Sequence, residues 1–263
     1  MGWGFPNEVM QAAKQLKVVS FTGIGAGNFV DFNLARELGV TVCNCPGYSN
    51  NTVAEHALMM LLGVARHVGR LDRAVRAGNW DQSHTGIELH GKTIGLVGFG
   101  GIGQTFARMC QALGMKDIVC ARNMSMERAI EHGVEFVPLE LLCEQSDVIS
   151  VHATFNAETE NLIDANAIDK MKDGVLFINT ARAELVKKAP FVAALRSGKI
   201  AAAGLDVFWN EPLAGDHPVT QLDNVLLSPH VGFNTAAAVD RLFEIGVDNI
   251  VQYCQGKPIN VVA

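Results

Sequence analysis

The chain has no long apolar run. Runs such as Ala57 to Ala65 are too short to cross a bilayer, so no membrane partner is expected. It has no long basic run either, and its formal net charge is −6. Nucleic acid is therefore not an expected partner, because phosphate contacts need clustered Lys and Arg. No C-x-x-C pair occurs among the six cysteines, at 43, 45, 110, 120, 143 and 254. Cys43 and Cys45 would share one face of a strand, but a zinc site needs two further ligands that the sequence does not place. No metal is expected, and the thiols are read as reduced and buried. Met1 to Lys17 lacks the basic segment and apolar core of a secretory leader, so the expected location is the cytoplasm. Internal repeats and low-complexity segments are missing too. What remains is an ordinary globular composition, 49% hydrophobic and 18% charged over 263 residues, enough for one large domain or two modest ones.

The most informative stretch runs from Leu96 to Arg122. Lys92 to Val97 reads as a buried strand, and Gly98, Gly100 and Gly103 follow it at once. Ile102, Phe106, Met109, Cys110 and Leu113 then recur on one face of a helix. Ile118 to Ala121 is a second strand. Glycine makes up 26 of 263 residues, so three glycines at fixed places say little without the strand before them and the helix after. In that setting G-x-G-x-x-G is the turn of a dinucleotide-binding unit. The first glycine allows the turn, the second admits a pyrophosphate, and the third lets helix and strand pack closely. The anion sits on the helix N-terminus, here Gly101, Ile102 and Gly103.

In chain order, Val18 to Phe21 reads as a short strand and Thr22 to Gly27 as a glycine-rich loop. Asp31 to Leu38 is a helix, and Val40 to Cys43 is a strand. Thr52 with Glu55 forms a capping box for one long helix ending near Gly78. Strands are expected at 93–97, 118–121, 135–137, 147–151, 175–179, 201–206 and 225–227. Helices are expected near 101–114, 125–132, 139–145 and 189–197, with a last one from Thr235 to Gly256. This alternation predicts an α/β fold, a doubly wound parallel Rossmann sheet covered on both faces.

Ligands of such sheets lie beyond the carboxyl ends of the strands. Three successive strands there deliver Thr180-Ala181-Arg182, then Asn210-Glu211-Pro212, then Ser228-Pro229-His230. Each residue has a bland reading by itself. Together they suit hydride transfer to a 2-oxo acid. Arg binds a carboxylate with its planar fork, His donates a proton near neutral pH, and a carboxylate beside the His orients its ring.

These stretches, with Val53-Ala54-Glu55-His56 and Leu205-Asp206-Val207-Phe208, resemble the D-isomer-specific 2-hydroxy acid dehydrogenase family over essentially the whole chain. The resemblance implies that Arg182 binds and polarises the substrate, that His230 is the acid/base, and that Glu211 is its partner. It implies that Asp206 holds the nicotinamide carboxamide, with Thr180, Ala181 and Gly232 also against the cofactor. The Gly23-Ile24-Gly25 loop resembles the family's backbone cradle for the substrate carboxylate. Domains are expected at 1–46, a partial flavodoxin-like substrate lobe, at 47–233, the nucleotide domain, and at 234–263, a helix returning to the lobe. The lobe is read as shortened at its N-terminus by some fifty residues relative to the family. Ala183 and Lys187 stand where the family usually has Gly and Asp, and Thr154-Phe155-Asn156 where it often has Pro-Leu-Thr.

Within the family, Pro46 to Ser49, His67 to Gly69 and Val75 to Trp80 resemble the hydroxypyruvate and glyoxylate reductases. The rivals are a phosphoglycerate dehydrogenase-like enzyme and, from another class, a dinucleotide-sensing binding protein. The cofactor is expected to be NADP, with NADPH preferred over NADH. An NAD-specific fold ends its second strand in Asp or Glu for the ribose 2′-OH. Here Ala121 stands there, followed by Arg122 and Asn123, which can pair with a 2′-phosphate. The apolar surface of the helix from Thr52 predicts a homodimer.

Overall fold

The computed structural model describes residues 4–263, so the opening Met1 to Trp3 of the N-terminal reading lies outside the described residues. In chain order the elements are α1 (Asn7–Ala12), β1 (Val18–Ser20), α2 (Phe32–Glu37), β2 (Thr41–Cys43), α3 (Asn50–Ala65), α4 (Val68–Arg76), β3 (Thr93–Val97), α5 (Gly101–Ala112) and β4 (Lys116–Cys120). There follow α6 (Met126–His132), β5 (Glu135–Phe136), α7 (Leu139–Gln145), β6 (Val148–Val151), α8 (Ala165–Lys170), β7 (Val175–Asn179), α9 (Lys188–Ser197), β8 (Ile200–Leu205), β9 (Val225–Leu227) and α10 (Ala236–Cys254). The chain divides into two units, 1–49 with 234–263, and 50–233.

In the larger unit seven parallel strands run in the order β5-β4-β3-β6-β7-β8-β9. Side chains alternate across the sheet, as a strand buried on both faces requires. Along β7, Val175 and Phe177 join the core under α7, α8 and α9, while Leu176 and Ile178 join the one under α3 and α5. The chain leaves β3 towards β4 and β5, then returns to place β6 on the other side of β3. That reversal opens a crevice at the carboxyl ends of β3 and β6.

The smaller unit holds a two-stranded parallel sheet of β1 and β2 with α1, α2 and α10. Its apolar core gathers Met10, Ala26, Val30, Ala35, Val40 and Val42. Asn249 of α10 is fully buried and ties this unit together. Its Nδ2 donates to Asn44 O at 2.9 Å and Ser20 Oγ at 3.2 Å, and its Oδ1 accepts from Asn260 at 2.9 Å. α1 forms where the sequence shows no clear helix start.

Three expectations are corrected. The helix from Thr52 to Gly78 is two helices, because His67 takes a left-handed conformation at φ 54° between α3 and α4. The returning segment explains the stop: Ile87 N–H donates to Ala65 O at 2.8 Å, and Leu89 is buried in the α3–α5 core. The capping box is misplaced as well. α3 begins at Asn50, so Thr52 lies within its first turn. Finally, Cys43, Cys45, Cys110 and Cys143 are buried, but Cys120 is only partly so and Cys254 is exposed. Cys45 also lies beyond the end of β2, so it does not share a strand face with Cys43.

The ring of Phe177 is fully buried and lies edge-on to Phe191 at 4.9 Å. Phe177→Ala leaves a cavity beneath the centre of the sheet and is expected to cost about 3–5 kcal/mol. Urea unfolding checks this, with the loss appearing as a lower midpoint at unchanged slope.

Candidate active site

The site is built at the carboxyl edge of the large sheet. Gly98 ends β3 at φ +99°, and a Cβ there would strike the backbone of His152 and Ala153 at the end of β6. Only glycine permits so close an approach of two strand ends. A Cβ on Gly103 would meet Gly98 O at 2.7 Å, so α5 sits tightly on the turn. Beside Gly100 the space is open. Among the described residues no side chain caps α5 there, and its first helical bond is Gln104 N–H to Gly100 O at 2.9 Å. The end of a twelve-residue helix thus faces open space with uncapped N–H groups, which fits a pyrophosphate. His152 Nε2 lies 2.9 Å from Ser150 Oγ, and desolvation lowers its pKa to about 4, which keeps the ring neutral near pH 7.

Ala121 follows β4, and Arg122 and Asn123 come next, both exposed. Among the described residues the Arg122 side chain makes no hydrogen bond or ion pair. Arg128, which the sequence reading passed over, anchors this loop. Its guanidinium donates to Phe99 O at 2.9 Å and to Asn123 O, and it lies over the Phe99 ring at 5.4 Å.

After β7, Asn179 shapes the turn that bears Arg182. Its Oδ1 accepts from Ala181 N–H at 3.0 Å and its Nδ2 donates to Arg182 O at 2.9 Å. Arg182 is partly buried and donates to Ala181 O at 2.7 Å. Thr180 Oγ1 is buried without a hydrogen-bond partner among the described residues. A buried hydroxyl left so is costly, and a bound polar ligand would satisfy it.

Two loops over, His230 Nδ1 lies 2.8 Å from Glu211 Oε2, and Phe208 N–H donates to Glu211 Oε1 at 3.0 Å. Burial pushes the Glu211 pKa up. The hydrogen bonds from His230 and Phe208, with the charges of His230 and Arg182, outweigh it and hold the carboxyl below the usual range. Nε2 of His230 has no partner among the described residues.

Asp206, just past β8, is 1% exposed. Its Oδ1 accepts from Ser228 Oγ at 2.5 Å and Val231 N–H at 3.0 Å, and its Oδ2 from Gly232 N–H at 2.8 Å. His56 Nε2, from α3, stands 3.4 Å from Oδ1 and 2.9 Å from Ser228 Oγ. Burial raises the Asp206 pKa, but the bonds from His56, Ser228, Val231 and Gly232 hold it below the usual value. The nicotinamide contact implied for Asp206 would share oxygens already engaged by the protein. The Gly232 N–H is likewise committed to Asp206. His56 stood in a matching stretch but carried no assigned role, since helical spacing does not show what lies across from it.

Gly23, Ile24 and Gly25 belong to the smaller unit. Gly23 N–H donates to Phe21 O at 2.9 Å, and Asn44 Nδ2 donates to Ile24 O at 2.9 Å. The N–H groups of Ile24 and Gly25 donate to nothing among the described residues.

Residues 58–232 match the model of the D-isomer specific 2-hydroxyacid dehydrogenase NAD binding domain. The chain is 40% identical over 253 residues to the D-3-phosphoglycerate dehydrogenase of Archaeoglobus fulgidus, covering 96% of this chain and 48% of that protein. It is 38% identical over 265 residues to the hydroxypyruvate reductase of Blautia hydrogenotrophica, covering 98% of this chain and 81% of that one. The crystal structure of a glyoxylate reductase from Paecilomyes thermophila superposes with a TM-score of 0.91 at 34% identity, over 98% of this chain and 79% of that chain. The chain belongs to the D-isomer specific 2-hydroxyacid dehydrogenase family, whose NAD-binding domain it carries. It spans about half of the phosphoglycerate dehydrogenase and about four fifths of each reductase.

Asp206 also predicts a pH dependence. Its folded pKa is depressed, so its contribution to stability is present above the unfolded carboxyl value, about 3.9, and is lost as pH falls through the folded one. Asp206→Asn is therefore expected to be less stable than wild type at pH 7. The gap should narrow as pH falls below about 4, where the carboxylate of the unfolded wild-type chain takes up a proton that the folded one still refuses. Urea midpoints measured from pH 3 to pH 8 check this, and a gap independent of pH contradicts it.

Proposed function

We propose that this chain reduces a small 2-oxo acid of the hydroxypyruvate or glyoxylate class with NADPH. The observation that carries the proposal is the His230–Glu211 pair, with Nδ1 held at 2.8 Å by the carboxylate and Nε2 left without a partner among the described residues. When bound, the reduced nicotinamide supplies a hydride to the carbonyl carbon. The Nε2–H of His230 gives its proton to the carbonyl oxygen, which becomes the hydroxyl of the product. Glu211 fixes the ring with Nε2 outward. Arg182 binds the substrate carboxylate and polarises the carbonyl beside it.

The likeness to a phosphoglycerate dehydrogenase favours a second reading, in which a larger, phosphorylated 2-hydroxy acid is oxidised. The Arg, Glu and His roles are the same in both readings. A binding protein with no turnover is the reading that the intact His230–Glu211 pair weighs against. The preference for NADPH rests on Ala121, which cannot repel a 2′-phosphate as an acid would, and on the unengaged guanidinium of Arg122. The six cysteines are all free, which suits the reducing cytoplasm.

The same reading includes a two-fold dimer. Met59 and Leu62 on α3, Val68 and Val75 on α4, and Trp80 beyond it are exposed. A monomer by light scattering at micromolar concentration contradicts this part.

His230→Ala is expected to lower kcat about a hundredfold to ten-thousandfold while NADPH binding changes little, since only the proton donor is lost. Wild-type turnover in that variant on every accepted 2-oxo acid overturns the assignment. For the cofactor, an Arg–phosphate contact corresponds to a preference of about tenfold to a hundredfold for NADPH. The ratio of kcat/KM for the two cofactors, in wild type and in Ala121→Asp/Arg122→Ala, measures it. An NADH preference in wild type, or an unchanged ratio in the double variant, rejects it.

A further inference from the structure

His230 sits in the left-handed region at φ 54°, where a residue with a Cβ is disfavoured. Something must hold it there, and the support comes from both sides of the residue. Ser228, two places before it, donates from Oγ to Asp206 Oδ1 at 2.5 Å. Val231 and Gly232, just after it, donate their N–H groups to the same carboxylate at 3.0 and 2.8 Å. One carboxylate therefore gathers donors that bracket His230, and the turn between them has little freedom.

His56 completes that arrangement. Ser228 has one hydroxyl proton, and it points to Asp206. Toward His56 Nε2, at 2.9 Å, the Ser228 oxygen can only accept, so Nε2 carries a proton. The ring is packed against the turn as well, since a Cβ on Gly232 would come within 3.3 Å of His56 Cδ2. Its backbone belongs to α3, where the neighbours Ala54 and Ala57 are fully buried. The imidazole thus joins a rigid core helix to the loop that bears the proton donor.

We propose that His56 is a positioning residue for His230: acting through Ser228 and Asp206, it holds the Ser228–Gly232 turn in the conformation that keeps His230 on Glu211 with Nε2 outward. The proposal rests on the reductase reading for its catalytic consequence, but its structural part can be read without turnover. Removing the Nε2–H frees the Ser228 hydroxyl to turn away and loosens the bracket around His230. The proton donor then samples positions away from Glu211, while the glycine turn at the end of β3 is unaffected.

The test compares wild type with His56→Phe, which keeps a ring without the donor, His56→Gln, which restores an N–H near the Nε2 position, and Ser228→Ala. Amide hydrogen exchange at Val231 and Gly232 reports the turn directly. Exchange there should quicken about tenfold or more in His56→Phe and Ser228→Ala, with core amides of β3 and β7 unchanged. In the same two variants kcat for glyoxylate or hydroxypyruvate should fall about tenfold to a hundredfold, as for a misplaced catalytic group, with NADPH affinity within about twofold of wild type. His56→Gln should recover most of both losses. Unchanged exchange at Val231 and Gly232 in both loss variants overturns the proposal. So does a uniform quickening across the core, which would mark His56 as a general packing residue. If wild type turns over no 2-oxo acid, the reductase reading fails, and the exchange measurement still decides whether His56 holds the turn.

Discussion

A carboxylate taken out of water is costly unless its oxygens are met by donors. Asp206 meets that demand with the residues around His230, so the cost of its burial and the strain at His230 are resolved by the same hydrogen bonds. β8 places the carboxylate at the sheet edge, β9 delivers the turn beside it, and α3 brings His56 across both. The Glu211 carboxylate then has a ring to engage. The candidate chemistry depends on this arrangement, because His230 on a freely moving loop would have no defined relation to Arg182 or to a cofactor.

The other half of the site depends on close approach of backbones. The strand order reverses between β3 and β6, and Gly98 lets those strand ends come together under the N-terminus of α5. Open space at Gly100 and the unpartnered hydroxyl of Thr180 lie along the same sheet edge. Both halves belong to the unit formed by residues 50–233.

Much of this was legible in the sequence. The glycine turn, the seven strands of the large sheet and the three strand-end residues Arg182, Glu211 and His230 all come from local patterns of spacing and side-chain type. The break at His67 was not legible, because no glycine or proline marks it. It depends on Ile87 reaching Ala65 from about twenty residues away in the chain. The start of α3 was misread because Thr52 and Glu55 satisfy the capping pattern two residues inside a helix that begins at Asn50. Arg128 and His56 could not be assigned, since Phe99 and Ser228, which they engage, are remote from them in sequence. Cys254, exposed near the end of α10, shows that a chain's thiols do not share one environment.

Central to the proposed function is the passage of a hydride and a proton to one carbonyl group at this sheet edge. Reduction of a 2-oxo acid consumes one NADPH and one proton for each hydroxy acid formed. The direct measurement follows absorbance at 340 nm together with a pH indicator in weak buffer, on addition of glyoxylate or hydroxypyruvate to the protein and NADPH. NADPH and protons are expected to disappear together in equal amounts, and only when the oxo acid is present. Saturable NADPH binding with no loss of either, whichever 2-oxo acid is added, would contradict it.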